Sequence, residues 1–246
     1  MSMFYRDEAC ILQREYVNIP AWHTAGYRGR GQAVLLDDIG GNHAECVADI
    51  IEVIAPEAKV FRATLGYRKE DERIVSCIVK IEDSYTLLDE FIQTNQIGYM
   101  NNSKDFGGHP SMKDNAYAIH LKEQIKKYNL ITTASAGNVP DGYVENAWHG
   151  AAMLINSAGF SKDGKVVHQY SSIGEYDIDF AMFHGFQSGT SFAAPFFLGM
   201  CILLRCKYPK FTQAEVHDYF KKHAEKIEDP KYSGWGLPRL GDPLQI

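Results

Sequence analysis

The sequence predicts an α/β fold in which a mostly parallel central sheet carries helices on both faces. Short apolar runs of strand length alternate along the chain with longer helical segments, and this order is typical of parallel strands joined by crossover helices. The chain has 246 residues, of which 45% are hydrophobic and 23% charged, and this is enough for one sizeable core. No internal repeat or linker-like segment divides the chain, so we expect one main domain.

The composition argues against nucleic-acid and membrane partners. The formal net charge is -6, and no run of lysines or arginines is long enough to form a basic surface. The longest apolar run, at 192–204, has thirteen residues and contains Pro195 and Gly199, whereas a bilayer-spanning helix needs about 20. We therefore expect this run to be a buried helix.

Two observations favour the cytoplasm. Residues 1–10 carry Arg6, Asp7 and Glu8 where a signal peptide needs an apolar core. The five cysteines are scattered and include no CxxC pair, which is typical of reduced thiols rather than of a disulfide framework or a zinc site. The sequence therefore predicts a cytoplasmic protein.

The elements of the first half follow from glycines, apolar runs and helix signals. The apolar run at 32–38 follows a glycine-rich turn and suits a central strand that is covered on both faces. Gly40 and Gly41 form the next turn, and Asn42 with Glu45 has the spacing of a capping box. The predicted elements are, in order, a strand at 32–38, a helix at 43–54, a strand at 59–65, one or two helices at 74–93 and a strand at 97–101.

The second half continues the alternation. An amphipathic helix is followed by a strand, and two further runs, joined across Asp163 and Gly164, predict a hairpin added to the sheet. Thr212 and Glu215 form another capping box. The predicted elements are a helix at 113–128, a strand at 130–134, a hairpin of 153–160 with 166–170, a helix after Ser191 and a helix that begins at 212.

Ser191 has the surroundings of a nucleophile. It lies in the segment GTSFAAP at 189–195, between a flexible glycine and a run of small and apolar residues. A chain can turn there from a loop into a buried helix, whose first amides and positive dipole end favour an anion such as a tetrahedral oxyanion. The simpler alternative is that Ser191 only caps the helix, since serine is among the commonest N-cap residues.

A serine nucleophile needs a base, and His43 is the best placed of the nine histidines. His43 shares a helical face with Val47 and Ile51 at the first turn of the predicted helix. Asp38 ends the preceding strand, and in open α/β sheets sites form beyond the carboxyl ends of strands. Three alternatives remain: His43 is a buried structural residue, Asp37 and Asp38 are only a solvated strand end, or the two aspartates form part of a metal site with His43 and Glu45.

Asn138 is a candidate hydrogen-bond donor to an oxyanion. It ends the segment SAGN at 135–138, directly after a predicted strand, and an asparagine carboxamide can stabilise developing negative charge. The alternative is an ordinary loop asparagine ahead of Pro140.

These segments resemble motifs of the subtilisin-like serine proteases, the subtilases. GTSFAAP matches the family pattern GTSMAxP at six of seven positions, and SAGN matches its oxyanion-hole motif. GYRGRGQAVLLDDIG at 26–40 resembles the first strand of the family, and HAECVA at 43–48 is similar to a degraded HGTHVA. The order Asp, His, Ser is that of the subtilisins.

The resemblance implies a subtilisin-like fold and a serine endopeptidase that acts on a protein or peptide. It implies that Asp38, His43 and Ser191 form a catalytic triad, and that Asn138 lies in the oxyanion hole with the Ser191 amide. No cofactor is implied. The implied catalytic domain covers 19–246, and residues 1–18 form a short extension that we expect to be a surface arm rather than an inhibitory segment.

The resemblance also implies the substrate-binding residues Ser103, Ser135 and Gly137. Ser103 is the first residue of SKD at 103–105, where the family usually has SLG or SWG, so the family's substrate preference does not carry over. Ser135 and Gly137 belong to the SAGN segment.

Other departures concern the base and a metal site. Only four residues separate Asp38 from His43, where the family has about thirty, and Ala44, Glu45 and Cys46 replace the Gly, Thr and His that usually follow the histidine. The family's calcium-binding insertion in this helix is missing, so no metal is expected. The alternatives to an endopeptidase are a non-catalytic binding or regulatory protein, which these changes favour, and an esterase that uses the same triad.

Overall fold

The computed structural model describes residues 7–38, 40–70, 73–104, 115–138, 142–143, 146–168, 172–173, 178–185, 188–227 and 230–245. The helices are α1 Glu8–Tyr16, α2 Ile19–Thr24, α3 Gly41–Ile54, α4 Leu88–Asn95, α5 Ala116–Tyr128, α6 Thr190–Lys207, α7 Gln213–Lys222 and α8 Pro230–Ser233. The strands are β1 Ala33–Asp37, β2 Lys59–Glu70, β3 Arg73–Ile81, β4 Ser84–Leu87, β5 Tyr99–Asn102, β6 Ile131–Ser135, β7 Gly142–Tyr143, β8 Met153–Phe160, β9 Val166–His168, β10 Ser172–Ile173 and β11 Phe180–Phe183.

One nine-stranded sheet organises the described residues, in the order β11-β8-β6-β5-β1-β2-β3-β4 with β9 paired to β8. The strands from β11 to β2 run parallel to their neighbours, whereas β3, β4 and β9 pair antiparallel. This confirms the predicted α/β fold. The chain leaves β1 to one side for β2 and returns to the other side for β5, so the carboxyl ends of β1 and β5 flank a topological switch point.

Both faces of the sheet are buried, and β1 contributes apolar side chains to the core on each face. Val34 and Leu36 pack on the face covered by α3 and α6, while Ala33 and Leu35 pack on the face covered by α4 and α5. Successive strand side chains point to opposite faces, so a fully buried strand reads as a continuous apolar run. By the same alternation, Asp37 belongs to the α4 and α5 face and Asp38 to the α3 and α6 face.

The central helix α6 is packed directly on α3. Its residues from Phe192 to Leu204 are all buried. Gly199 allows the close approach, because a Cβ at this position would lie 2.6 Å from Cβ of Ile54. By length and composition α6 could also cross a membrane, but 78% of it is buried inside the fold, and a core helix meets the same criterion.

The N-terminal segment is part of the packed structure. Cys10 and Val17 are buried in the same core as α3 and α6, and the side-chain oxygen of Gln13 accepts a hydrogen bond from the amide of Gly185 at 2.9 Å. The expectation of a surface arm is therefore wrong for the described residues 7–18. Residues 1–6 lie outside the described residues.

The predicted helix at 74–93 is wrong over most of its length. This segment forms the antiparallel strands β3 and β4, and only α4, from Leu88, is helical. The strands are joined at Glu82, which has a positive φ of 52°, and the run before it is rich in isoleucine and valine, which favour strands. β3 pairs antiparallel with β2, the strand that precedes it in the chain, and the predicted strand at 59–65 ends too early to reveal this pairing.

Helix boundaries show one wrong and one confirmed capping box. The N-cap of α3 is Gly40, with a positive φ of 85° and no side-chain cap, so Asn42 lies inside the helix and does not cap it. Thr212 and Glu215 form both hydrogen bonds of the capping box at α7. The predicted hairpin is confirmed as β8 and β9, and residues 169–170 lie outside the described residues.

Candidate active site

The candidate site lies at the carboxyl ends of β1 and β5. Asp38 follows β1 and Ser103 follows β5, while α3 and α6 begin on the same side of the sheet with His43 and Ser191 in their first turns. The ring of His43 packs on the ring of Phe192, the residue after Ser191, with the centroids 5.3 Å apart. The topology thus brings the starts of two helices and the ends of two strands to one place.

Asp38 holds the imidazole of His43. Nδ1 of His43 lies 2.9 Å from Oδ1 and 3.1 Å from Oδ2 of Asp38, and the side chains are 29% and 2% exposed, respectively. The backbone of Asp38 is fixed by β2, because its amide donates to Ala63 and its carbonyl accepts from the hydroxyl of Thr64, both at 3.0 Å. A carboxylate on Nδ1 favours the tautomer in which Nε2 accepts a proton.

Asp37 points away from His43, as the alternation along β1 requires. Its completely buried carboxylate accepts from the ammonium of Lys104, from the amide of Leu65 at 2.9 Å and from the side-chain amide of Asn102 at 2.9 Å. Burial raises the pKa of Asp37, and the charge of Lys104 opposes this change. The neighbouring carboxylates therefore have different partners.

The alternative metal site finds no support in the described residues. Within the described ranges, no three histidine, cysteine, aspartate or glutamate side chains are grouped so that they could hold a metal ion. Asp38 is paired with His43, and Asp37 with Lys104.

Ser191 is the second residue of α6 and does not cap it. The N-cap is Gly189, at a positive φ of 133°, and the helix has no side-chain cap, so the capping alternative is wrong. Oγ of Ser191 donates to the carbonyl oxygen of Ser103 at 2.9 Å. In return, Oγ of Ser103 donates to the carbonyl oxygen of Ser191 at 2.7 Å. The hydroxyl proton of Ser191 is thus directed to a backbone carbonyl instead of to His43.

Asn138 lies beside the start of α6. Its Oδ1 accepts from the amide and the hydroxyl of Thr190 at 2.8 and 3.1 Å, and the same hydroxyl accepts from the amide of Gly137 at 3.1 Å. These contacts fix the plane of the Asn138 carboxamide and leave Nδ2 as its donating atom. Asn138 is exposed, so a bound molecule can reach it.

The three predicted substrate-binding residues lie around the same place, but their polar groups bond within the protein. Ser103 and Ser135 are 2% and 4% exposed. Oγ of Ser103 accepts from Asn101 at 2.8 Å in addition to its bond with Ser191, and Oγ of Ser135 accepts from Asn146 at 3.4 Å. Asp105 lies outside the described residues.

A network of buried polar residues beneath Ser191 was not predicted. Asn102 donates to Asp37, accepts from Asn146 at 3.1 Å, and accepts from the amide of Lys104 at 3.2 Å. Asn101 accepts from the hydroxyl of Thr133 at 2.9 Å. The polar run NNSK at 101–104, which follows the largely apolar residues 97–100, is the signal that could have identified these residues at the carboxyl end of a strand.

Two cavities of similar size lie at different parts of the sheet. A cavity of about 500 Å³ adjoins the start of α3 and is lined by Gly40, Gly41, β2 and the turn between β3 and β4. Another, of about 530 Å³, lies at the amino ends of β8 and β11 and is lined by residues that include His149, Asp179 and His217. The first cavity contacts residues before and after His43 in the chain, but Asp38, His43, Asn138 and Ser191 are not among the described residues that line it.

Comparison with known proteins identifies the fold. No protein-family model and no curated protein matches the chain. Solved structures do match. Fervidolysin from Fervidobacterium pennivorans, a keratinolytic enzyme related to subtilisin, has 15% identity and a TM-score of 0.66 over 96% of this chain and 45% of its own. The prenylagaramide maturation protease PagA has 16% identity and a TM-score of 0.64 over 92% of this chain and 97% of its own.

A protease from Pseudoalteromonas arctica gives a similar result, with 13% identity and a TM-score of 0.67 over 92% of this chain and 94% of its own. This chain thus spans less than half the length of fervidolysin and most of the length of the other two. The fold is therefore subtilisin-like, and at these identities the likeness concerns the fold alone.

Proposed function

We propose that this chain is a subtilisin-like serine endopeptidase with Ser191 as nucleophile, His43 as base and Asp38 as the residue that orients it. The observation that carries the proposal is the convergence of the His43–Asp38 pair with the start of α6, through the ring contact between His43 and Phe192. A base oriented by a carboxylate beside a serine in the first turn of a helix is the arrangement that acyl transfer requires.

The proposed reaction has two halves. Nε2 of His43 takes the hydroxyl proton of Ser191 as Oγ attacks the peptide carbonyl carbon, and the carbonyl oxygen becomes an oxyanion. Nδ2 of Asn138 and the amide of Ser191 stabilise that charge. His43 then gives its proton to the leaving amine as the C–N bond breaks, and an acyl-enzyme remains. In the second half His43 takes a proton from water, the hydroxide attacks the ester, and Ser191 regains its proton.

The hydrogen bond from Ser191 to Ser103 is compatible with this reaction. A rotation about one side-chain bond releases Oγ from the carbonyl, and in substrate-free enzymes catalytic hydrogen bonds often form only when substrate binds. Solved structures that share this fold are those of proteases, among them the maturation protease PagA. Protein or peptide substrates are therefore part of the proposal.

A cytoplasmic location also belongs to the proposal. None of the five cysteines forms a disulfide in the structure, which is consistent with a reducing compartment.

A non-catalytic binding or regulatory role is the second candidate, and two observations favour it. Ser191 donates to a backbone carbonyl, and Ala44, Glu45 and Cys46 replace the residues that usually follow the histidine in the subtilases. In that case the serine is structural and Ser191 is not activated. An esterase would share the activated serine and differ only in its substrate.

Labelling with a fluorophosphonate, followed by mapping of the modified peptide, tests the proposal. We expect modification at Ser191 in the native protein, and none in heat-denatured protein or in the His43→Ala variant, because only an activated serine reacts. Absence of labelling on folded protein would contradict an enzymatic role. Cleavage of a denatured protein substrate, compared with hydrolysis of a simple ester, then separates an endopeptidase from an esterase.

A further inference from the structure

The ion pair between Asp37 and Lys104 is the feature of the site that the proposed reaction does not use. The two residues are far apart in sequence and meet where β1 and β5 end. Their side chains are 0% and 12% exposed. Each is an unusual residue at its position, since Asp37 ends an apolar strand and Lys104 follows the buried Ser103.

Stability alone does not account for such a pair. Removing two charges from water is costly, and well-packed apolar residues of similar volume are often as stable as a buried ion pair or more so. The pair does, however, fix geometry, because a buried charge whose partner moves away is left uncompensated. A buried ion pair of this kind therefore restrains the two backbone segments that carry it.

Of the two restrained segments, the one that carries Lys104 contacts Ser191. Lys104 is held at three points: its ammonium bonds to Asp37, its amide donates to Asn102 at 3.2 Å, and its carbonyl accepts from Asn146 at 3.2 Å. Its neighbour Ser103 exchanges two hydrogen bonds with Ser191. The anchored Lys104 is thus adjacent in sequence to Ser103, the residue that contacts the start of α6.

We propose that the Asp37–Lys104 ion pair is a positioning pair that holds Ser103 against Ser191 and so fixes the start of α6. The effect on reactivity rests on the proposed function, whereas the effect on local structure does not. Neither side chain takes part in proton transfer. The pair acts through Ser103.

The test compares Lys104→Met, Asp37→Asn and the double variant with the wild type. Lys104→Met keeps an apolar stem of similar length, and Asp37→Asn keeps the shape of the side chain. We expect each single variant to lower the second-order rate constant of fluorophosphonate labelling by about 10- to 100-fold, since misplacement on the scale of 1 Å has costs of this size. The double variant should lose less than the product of the two single losses, because it leaves no unpaired buried charge.

Two controls separate positioning from stability. Lys127→Met removes an exposed ion pair with Asp89 and should leave the rate unchanged. Val216→Ala creates a cavity in the buried part of α7, away from the site, and provides a variant of lowered melting temperature. If the single variants act through positioning, their labelling rates fall much further than that of Val216→Ala at an equal loss of melting temperature.

Hydrogen exchange measured by mass spectrometry provides the readout that is independent of catalysis. In Lys104→Met we expect faster exchange in peptides that cover 100–104 and 189–194, with α7 unchanged. If the wild type is labelled but Lys104→Met reacts equally fast, the inference is wrong. If the wild type is not labelled, the proposed function fails, and exchange decides the inference: faster exchange confined to these peptides supports it, and unchanged exchange overturns it.

Discussion

Two histidine–aspartate pairs lie at opposite ends of the strands of the central sheet. His43 and Asp38 meet beyond the carboxyl end of β1, with Nδ1 2.9 Å from the carboxylate. His217 and Asp179 meet just before the amino end of β11, with Nε2 3.1 Å from the carboxylate. The pairs resemble each other in distance, but Asp38 is almost completely buried, whereas the side chain of Asp179 is 28% exposed.

The two pairs differ in the residues that surround them. His43 packs on the residue after Ser191, beside Asn138 and the first turn of α6. His217 contacts the ring of Phe180 and faces a cavity of about 530 Å³ whose described lining contains no serine, threonine or cysteine. A histidine held by a carboxylate is thus a common structural unit, and we infer chemistry only where a potential nucleophile and oxyanion donors converge on it.

The sharpest contrast is expected between the two histidines. Ser191→Ala and His43→Ala should each lower kcat by about a millionfold, and the double variant should be little worse, since both groups act in one proton transfer of the proposed reaction. His217→Ala is the matched control and should retain most of the turnover. The measurement is the rate of cleavage of a labelled protein substrate. If a folded His217→Ala protein were as inactive as the His43→Ala protein, the difference in role between the two pairs would be contradicted.

The two aspartates give the next contrast. Asp38→Asn should lower kcat by about ten-thousandfold, because the carboxamide holds the imidazole in the wrong tautomer. Asp179→Asn should have nearly the wild-type kcat. Steady-state kinetics on the two purified variants, with circular dichroism to confirm folding, provides the measurement. The assignment of Asp38 is contradicted if its variant retains turnover.

Asn138→Ala should have a smaller and more selective effect. We expect kcat to fall by about a hundredfold to a thousandfold with KM nearly unchanged, because the carboxamide meets charge that exists only in the transition state. Asn95→Ala, on the remote helix α4, is the control. A change confined to KM would instead make Asn138 an ordinary substrate-binding residue.

The smallest expected effect concerns the contribution of the His217–Asp179 pair to the stability of the fold. The carboxylate of Asp179 raises the pKa of His217 above its usual 6.5, so the pair stabilises the fold below pH 6.5 and this contribution is lost as the pH rises through the raised value. The difference in free energy of unfolding between wild type and His217→Gln should be about 1 kcal/mol larger at pH 5.5 than at pH 8.5. Urea denaturation at both pH values measures it, and equal differences would contradict the prediction.

The sequence predicts those features that depend on local order. The glycines and apolar run before Asp38 predict β1, and the alternation of side chains along β1 explains why Asp38 rather than Asp37 reaches His43. The position of Ser191 in the first turn of a buried helix also follows from the residues around it. These features require only neighbours in the chain and the general topology of α/β sheets.

Features that depend on distant partners were not predictable. The strands β3 and β4 are a different case, because β3 pairs with its neighbour in the chain, β2, over residues beyond the predicted strand at 59–65, and the apolar spacing alone indicates a helix. Lys104 and Asp37, like Ser103 and Ser191, come together only when β1, β5 and α6 are assembled. No local pattern of spacing or charge identifies these partners.

The close contact of Gly199 with Ile54 makes the geometry of the site sensitive to changes in the core. Ile54 lies about 16 Å along α3 from His43, and Gly199 lies about 12 Å along α6 from Ser191, at 1.5 Å per residue. The relative position of the two helices therefore depends on the contact at Gly199. A methyl group at position 199 would push the two helices apart and change the distance between His43 and Ser191, so that under the proposed function a disturbance of the core would first be observed as slower turnover.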